Sequence, residues 1–449
     1  MEKIFRLKEN GTNAKTEIIA GITTFLAMAY ILAVNPAYLG GIPGASPAAI
    51  FMATAISAAI ATICMAFFAN YPVALASGMG LNAFFAYTVC GSMGCSYEVA
   101  LTAVLVEGII FILMSFFKFR ESLVNKIPAN LKLGITSGIG LFITIVALLS
   151  SKVIVADEAT TVALGDLGSM PVVLSIAGLL IIGVLQYKKI PGGILIGILA
   201  TWILGIIIQL AGRTAGVEFF ETELIPALSA EAIKSNFAAP AMFKFDFGYV
   251  SKNLASFIIV VFTFLYTDIF DTVGTLIGVT QKAGIMKEDG TLPKVGGALM
   301  ADAVGTVVGA CMGTSTVTSF VESTAGVAAG GKTGLTALTT GIMFIVAIIF
   351  APIFLAIPSF ATTPAMLYVG ILMLSAIKNM DFEGDIADVI GGFLAVIMMP
   401  FAYSIATGIM FGIVSWVILK VVTGKIKDVS SIMWVSFVLF AAYIATLVF

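Results

Sequence analysis

Runs of about 17 to 25 apolar residues recur from one end of the chain to the other, each long enough to cross a ~30 Å hydrocarbon core. They fall at 17–35, 47–69, 73–90, 97–117, 131–150, 171–187 and 190–211. A second series follows at 253–279, 293–312, 315–329, 333–357, 362–377, 386–402 and 404–423, with one more at 430–449. No soluble domain fits between them, and the longest polar interval, 212–252, reads as an external connecting loop. The residue types agree, since 60% are hydrophobic and 11% charged, against roughly 25% charged in an average soluble domain. This is the pattern of an all-α polytopic membrane protein. A net charge of -2 gives no basic surface for nucleic acid. The charged start, MEKIFRLKENGTNAK, could pass for the head of a signal peptide. The many spans that follow make an uncleaved first helix the better reading.

Threading the spans from a cytoplasmic N-terminus puts 18 of the 23 Lys and Arg on the inner side and leaves 5 outside, as the positive-inside rule requires. None of the 23 falls mid-span. Seven spans per half then give the second half the opposite topology. The repeats are 17–211 and 253–423, and Met52-Ala-Thr-Ala…Ile-Cys-Met65 faintly echoes Met300-Ala-Asp-Ala…Ala-Cys-Met312. Inverted repeats are the architecture of secondary transporters, with sites near the midplane at the repeat interface. The 430–449 segment lies outside the repeat, and the sequence leaves open whether it crosses the membrane.

The third segment of each repeat does not read as an ordinary helix. In 71–87, extended character gives way at Gly78 and Gly80 to a helical stretch expected near Asn82. In 313–327, a run of β-branched and hydroxyl residues suits a short strand, with a helix expected from about Ser319. Such backbone survives at membrane depth only where protein or a water-filled cavity satisfies it. Two half-helices would aim their N-terminal amides into that cavity.

Intramembrane acids are costly and usually functional, and the chain has no histidine to share their role. Asp268 and Asp271 are spaced by three, placing both on one side of the eighth helix. Two like charges this close favour proton uptake by one of them. Glu322 is expected about one turn into the tenth half-helix, where it could accept N–H groups of a heterocycle. Asp302 lies near the start of the ninth segment, where solvation is the rival reading. Glu107 reads as an acid bonded to a neighbouring helix. Gly326–Thr333 matches the phosphate-loop pattern G-x-x-x-x-G-K-[ST], but no parallel-sheet context supports it, so Lys332 reads as an anchor on a turn. Cys64, Cys90, Cys95 and Cys311 read as packing residues, without a ligand set for a metal. No cofactor and no catalytic cluster is expected.

Five stretches carry a family resemblance: GITTFLAMAYILAVNP (21–36), SGMGLNAFF (77–85), TDIFDTVGTLIG (267–278), MADAVGT (300–306) and TSFVESTAGV (318–327). Through them the chain resembles the nucleobase–cation symporters, also called nucleobase–ascorbate transporters, and within these the azaguanine-type adenine/guanine/hypoxanthine permeases. The resemblance implies a 7+7 fold with core and gate domains and import of purine bases by proton symport in a cell membrane. It also implies substrate between the eighth segment and the two half-helices, and homodimers in many members. Candidate substrate-binding residues are then Gly80, Asn82, Asp268, Asp271, Thr318 and Glu322. Asp271, Asp302 and Glu322 are candidates for proton coupling, and Phe84, Phe270 or Tyr266 for stacking on the base. Where uracil carriers of the wider family have a histidine, this chain has Thr275, so a histidine proton role does not transfer. Sodium coupling remains an alternative, as does an anion carrier or channel of the same architecture.

Overall fold

A computed structural model describes residues 2–116, 127–226, 234–286 and 292–448. Among these, ten helices are long and apolar enough to cross a membrane. The first repeat runs α1 (Ala14–Met28), α2 (Ile31–Leu39), α3 (Pro47–Phe68), strand β1 (Leu75–Ser77) and α4 (Met79–Ala83), which continues as a π-helix over Phe84–Ser92. Then come α5 (Tyr97–Phe116), α6 (Ala129–Ser150), a hairpin of β2 (Ile154–Asp157) and β3 (Thr161–Leu164), α7 (Met170–Tyr187) and α8 (Gly193–Ala215). The second repeat comprises α9 (Leu254–Lys282), α10 (Val295–Met312), β4 (Val317–Ser319), α11 (Ser323–Ala328) and α12 (Gly334–Ala347). It closes with α13 (Ser359–Leu374), α14 (Ile386–Phe401) and α15 (Ile405–Val422), and α16 (Ser431–Val448) follows.

Helix packing displays the inverted repeat. In one group α3 lies against α10 and α12, α5 against α9 and α10, and α1 against α12. In the other, α6 lies against α13 and α14, α7 against α8 and α13, and α14 against α15. Exchanging the two repeats turns each of these pairs into another of them or into itself. The first group is the core and the second the gate of a 7+7 fold.

At the centre of the core, β1 and β4 pair antiparallel with Ala76 opposite Thr318. Their edges face helices rather than further strands, so side chains must satisfy them. Thr62 of α3 both donates to Leu75 O (3.0 Å) and accepts from Leu75 N (2.9 Å). Thr306 of α10 donates to Val317 O at 3.1 Å, and Ser323 accepts from Ala74 N at 3.0 Å. Gly78 N donates to Thr316 O, and Phe320 N to Ala74 O, extending the ladder at both ends.

Two boundaries differ from the sequence reading. The first half-helix starts at Met79 rather than near Asn82, because Asn82 N already bonds back to Gly78 O at 2.8 Å. The second starts at Ser323 rather than Ser319, since Ser319 is still paired in the strand. Helix α16 packs on α15 and also on α9, with Phe440 meeting Phe262 edge-on at 5.5 Å.

Candidate functional site

The first span tightens at its middle, where Leu32 N and Ala33 N bond three residues back to Ala29 and Tyr30. A stretch of this kind inside a helix marks a hinge or a functional bend. It turns the buried Tyr30 hydroxyl toward the second break, where it donates to Glu322 Oε1 at 2.5 Å. Glu322 is the N-cap residue of α11, not one turn inside it, and is 9% exposed. The six-residue helix behind it is too short to act mainly through its dipole. Glu322 is therefore held by a side chain.

Asp268 and Asp271 share a side of α9, yet a helix turns about 100° per residue, so residues three apart point about 60° away from each other. Asp271 is partly exposed and looks across the first break, with Oδ2 3.6 Å from where a Cβ on Gly78 would lie. It is close enough to Glu322 and Asp302 to feel both charges. Gly78 itself admits no side chain, since its Cβ would sit 2.5 Å from Thr318 Cγ2. That bare glycine is what lets the two breaks meet.

Asp268, about 60° round the helix from Asp271, is fully buried. Thr272 Oγ1 lies 3.2 Å from Asp268 Oδ1, 2.8 Å from Asp302 Oδ1 and 2.8 Å from Thr318 Oγ1. One hydroxyl carries one proton, so Thr318 donates to Thr272 while Thr272 donates to one carboxylate at a time. Asp302 is fully buried. The solvated reading of that residue is wrong, because two turns of α10 carry it from the end of the helix to the level of β4. The structure thus places Asp271 beside Gly78 at the first break, within reach of both Glu322 and Asp302, and joins Asp268, Asp302 and Thr318 through Thr272.

Other candidates are engaged locally. Asn82 Oδ1 accepts from Ser77 Oγ at 2.8 Å, which closes the turn at the first break. Gly80 packs against α6, its Cβ position 2.6 Å from Ile139 Cγ2. Phe84 is buried edge-on against Phe264 at 4.8 Å. Tyr266 bonds Ser436 and stacks on Phe262 at 4.5 Å. The Phe270 side chain lies outside the described residues. Glu107 accepts from Thr316 Oγ1 at 2.8 Å, so it anchors the approach to β4.

The sequence pattern of the Permease family (Xan_ur_permease) matches residues 15–411. The chain belongs to this family. It is 40% identical over 441 residues to the adenine permease AdeQ of Escherichia coli K12, covering 98% of this chain and 95% of that one. It is 41% identical over 455 residues to the guanine/hypoxanthine permease PbuG of Bacillus subtilis 168, covering 99% of each. Its fold is that of the transmembrane domain of a cyanobacterial bicarbonate transporter, BicA. That match has a TM-score of 0.63 at 17% identity and covers 89% of this chain and 97% of that one. The permease is a multi-pass membrane transporter and not an enzyme.

Several buried polar residues that cross between segments escaped the sequence reading. Tyr30 was visible as an aromatic hydroxyl in an apolar span. Asn35, directly before Pro36 in α2, donates to Thr54 Oγ1 and Thr314 Oγ1 at 2.7 and 2.8 Å. Glu17 is fully buried although it lies near the start of the first span. Its carboxylate accepts from Lys332 N (2.9 Å), Thr333 N (3.2 Å), Thr336 N (3.2 Å) and Thr336 Oγ1 (2.6 Å). These are the amides a phosphate loop would offer, and an internal carboxylate occupies them.

Proposed function

We propose that the permease imports purine nucleobases by proton symport, the core moving against the gate. What carries this reading is the full-length similarity to relatives named as adenine and guanine/hypoxanthine permeases. The arrangement of acids supports it. Glu322, held by Tyr30, and Asp271, beside the bare backbone of Gly78, accept ring N–H groups of the base. Amides around Gly80, with Asn82 once released from Ser77, contact its exocyclic group. The pair Asp268 and Asp302, bridged by Thr272, shares the coupling proton with Asp271 and passes it as Thr318 shifts with the strand. The N-terminus is cytoplasmic in a cell membrane, in keeping with the Lys and Arg distribution.

The test is uptake of labelled hypoxanthine into proteoliposomes, with unlabelled hypoxanthine, guanine and adenine as competitors. All three compete at micromolar to millimolar concentration, and an ionophore that collapses the pH gradient at fixed sodium stops accumulation. Accumulation driven by a sodium gradient alone would assign the coupling to sodium. No uptake of any purine would refute the substrate.

A further inference from the structure

A polar cavity of about 210 Å³ lies between core and gate beyond the proposed site. That is several times the ~30 Å³ share of one water molecule in the liquid. Its core wall comes from the π-helix after β1 and from the first turns of α9, and its gate wall from the turn at 402–407. The mouth is marked by Ser92 and Ala402, both exposed. Thr263 lies eight residues before Asp271, which places the cavity about 12 Å along α9 from that acid at 1.5 Å per residue.

Two hydroxyls in its wall, Thr88 and Thr263, are 3% and 0% exposed and have no hydrogen-bond partner among the described residues. Buried hydroxyls are ordinarily partnered, so both are poised for a partner that arrives. Thr267, also buried and unpartnered, follows Thr263 by four residues, and Asp271 follows Thr267 by four. Residues four apart stack along one helix face. The three polar groups therefore step from the cavity to the proposed site. The paired rings of Phe84 and Phe264 stand beside this path. On the gate side Tyr403 holds a left-handed backbone (φ 51°) next to Ser404, whose hydroxyl caps α15 by accepting from Thr407 N.

We infer that this cavity is an entry subsite for a planar heterocycle with a polar edge, in which Thr88 and Thr263 make the first hydrogen bonds before the base passes to Asp271 and Glu322. The inference rests on the nucleobase reading. Its test is the concentration dependence of hypoxanthine uptake by Thr88→Val, Thr263→Val and the corresponding Ser variants. Each Val variant should raise KM about threefold to tenfold, the worth of one neutral hydrogen bond, with the maximal rate within about twofold. Ser variants should keep the original KM. Because an unpartnered buried hydroxyl is removed, the Val variants should melt at the same temperature or higher. Unchanged KM in both Val variants, with normal uptake by the unmodified protein, would overturn the subsite and leave the nucleobase reading intact. So would a lowered melting temperature with a lowered maximal rate and unchanged KM, which marks a structural role. An unmodified protein that takes up no base overturns both.

Discussion

Core and gate differ in how far polar side chains cross between their helices at depth. In the core, polar side chains cross between segments at depth: Tyr30 to Glu322, Thr272 to Asp302, Thr316 to Glu107, and the amides before α12 to Glu17. In the gate, helices meet on bare backbone, as core helices also do where a Cβ on Gly334 of α12 would lie 2.3 Å from Ala66 O of α3. A Cβ on Gly134 of α6 would lie 2.4 Å from Gly392 O of α14, and one on Gly140 would lie 2.8 Å from Gly370 O of α13. Gate charge is kept to the edge, where Asp385 receives Lys420 Nζ at 2.9 Å and Lys425 Nζ at 2.6 Å. Hydrogen bonds are directional and fix where a carboxylate points, whereas close backbone packing fixes a shape without orienting a ligand. The core can thus present a chemically specific site while the gate serves as a stiff surface to move against.

The contrast is sharpest at Glu17. Glu17→Ala strips the acceptor from three backbone amides and a hydroxyl, at about 1–3 kcal/mol for each buried donor left unmet. A large fall in the melting temperature of the purified protein is expected, and an unchanged one would show that the tether is dispensable. Next comes Asp271→Asn, which should lower kcat/KM for hypoxanthine about 100-fold, in line with ~2–5 kcal/mol for disabling one member of a buried charged contact. Thr272→Val should cost roughly tenfold in uptake, since it removes one donor shared by Asp268 and Asp302, and hydrogen bonds to charged groups are worth about 1.5–3 kcal/mol. Wild-type uptake by this variant would break the link drawn between those two acids.

The smallest effect belongs to the gate. Lys425 first, then Lys420 and the amide of Ala387, hold the Asp385 carboxyl well below the usual carboxylate range. A depressed folded-state value stabilises the protein above the unfolded value of about 3.9 and ceases to do so as pH falls through the lower folded value. Melting temperature should accordingly drop on acidification below about pH 4, and Asp385→Asn should remove that part of the drop. An identical acid profile in the variant would mean the ion pairs contribute nothing.

Much of the fold was legible because membrane crossing imposes length and hydropathy on every span. All fifteen apolar runs correspond to helices or broken helices, and β1 and β4 stand where glycine-containing and β-branched stretches interrupt the pattern, whereas the β2–β3 hairpin between spans gave no such signal. What could not be read was which acid faces which. Asp268 and Asp271 look equivalent at a spacing of three, and only the packing of α9 on α5, α11 and β4 separates them. Asp302 resembled a solvated end residue because sequence carries no depth. The roles of Tyr30, Asn35 and Glu17 depend on contacts roughly 280 to 320 residues away in sequence, as with Tyr30 and Glu322 (|i−j| of 292). Hydroxyls such as Thr272 gave no sign, since threonine in a span commonly bonds its own helix.

The central claim is that the paired breaks present Glu322 to the base. Exchange of labelled hypoxanthine across proteoliposomes without any ion gradient isolates binding and translocation from coupling, and so tests it most directly. Glu322→Gln should lose about 100-fold or more in exchange rate, the scale of a disabled buried charge contact, while Lys420→Met in the gate stays near the unmodified rate. Exchange by Glu322→Gln at the unmodified rate would contradict the account.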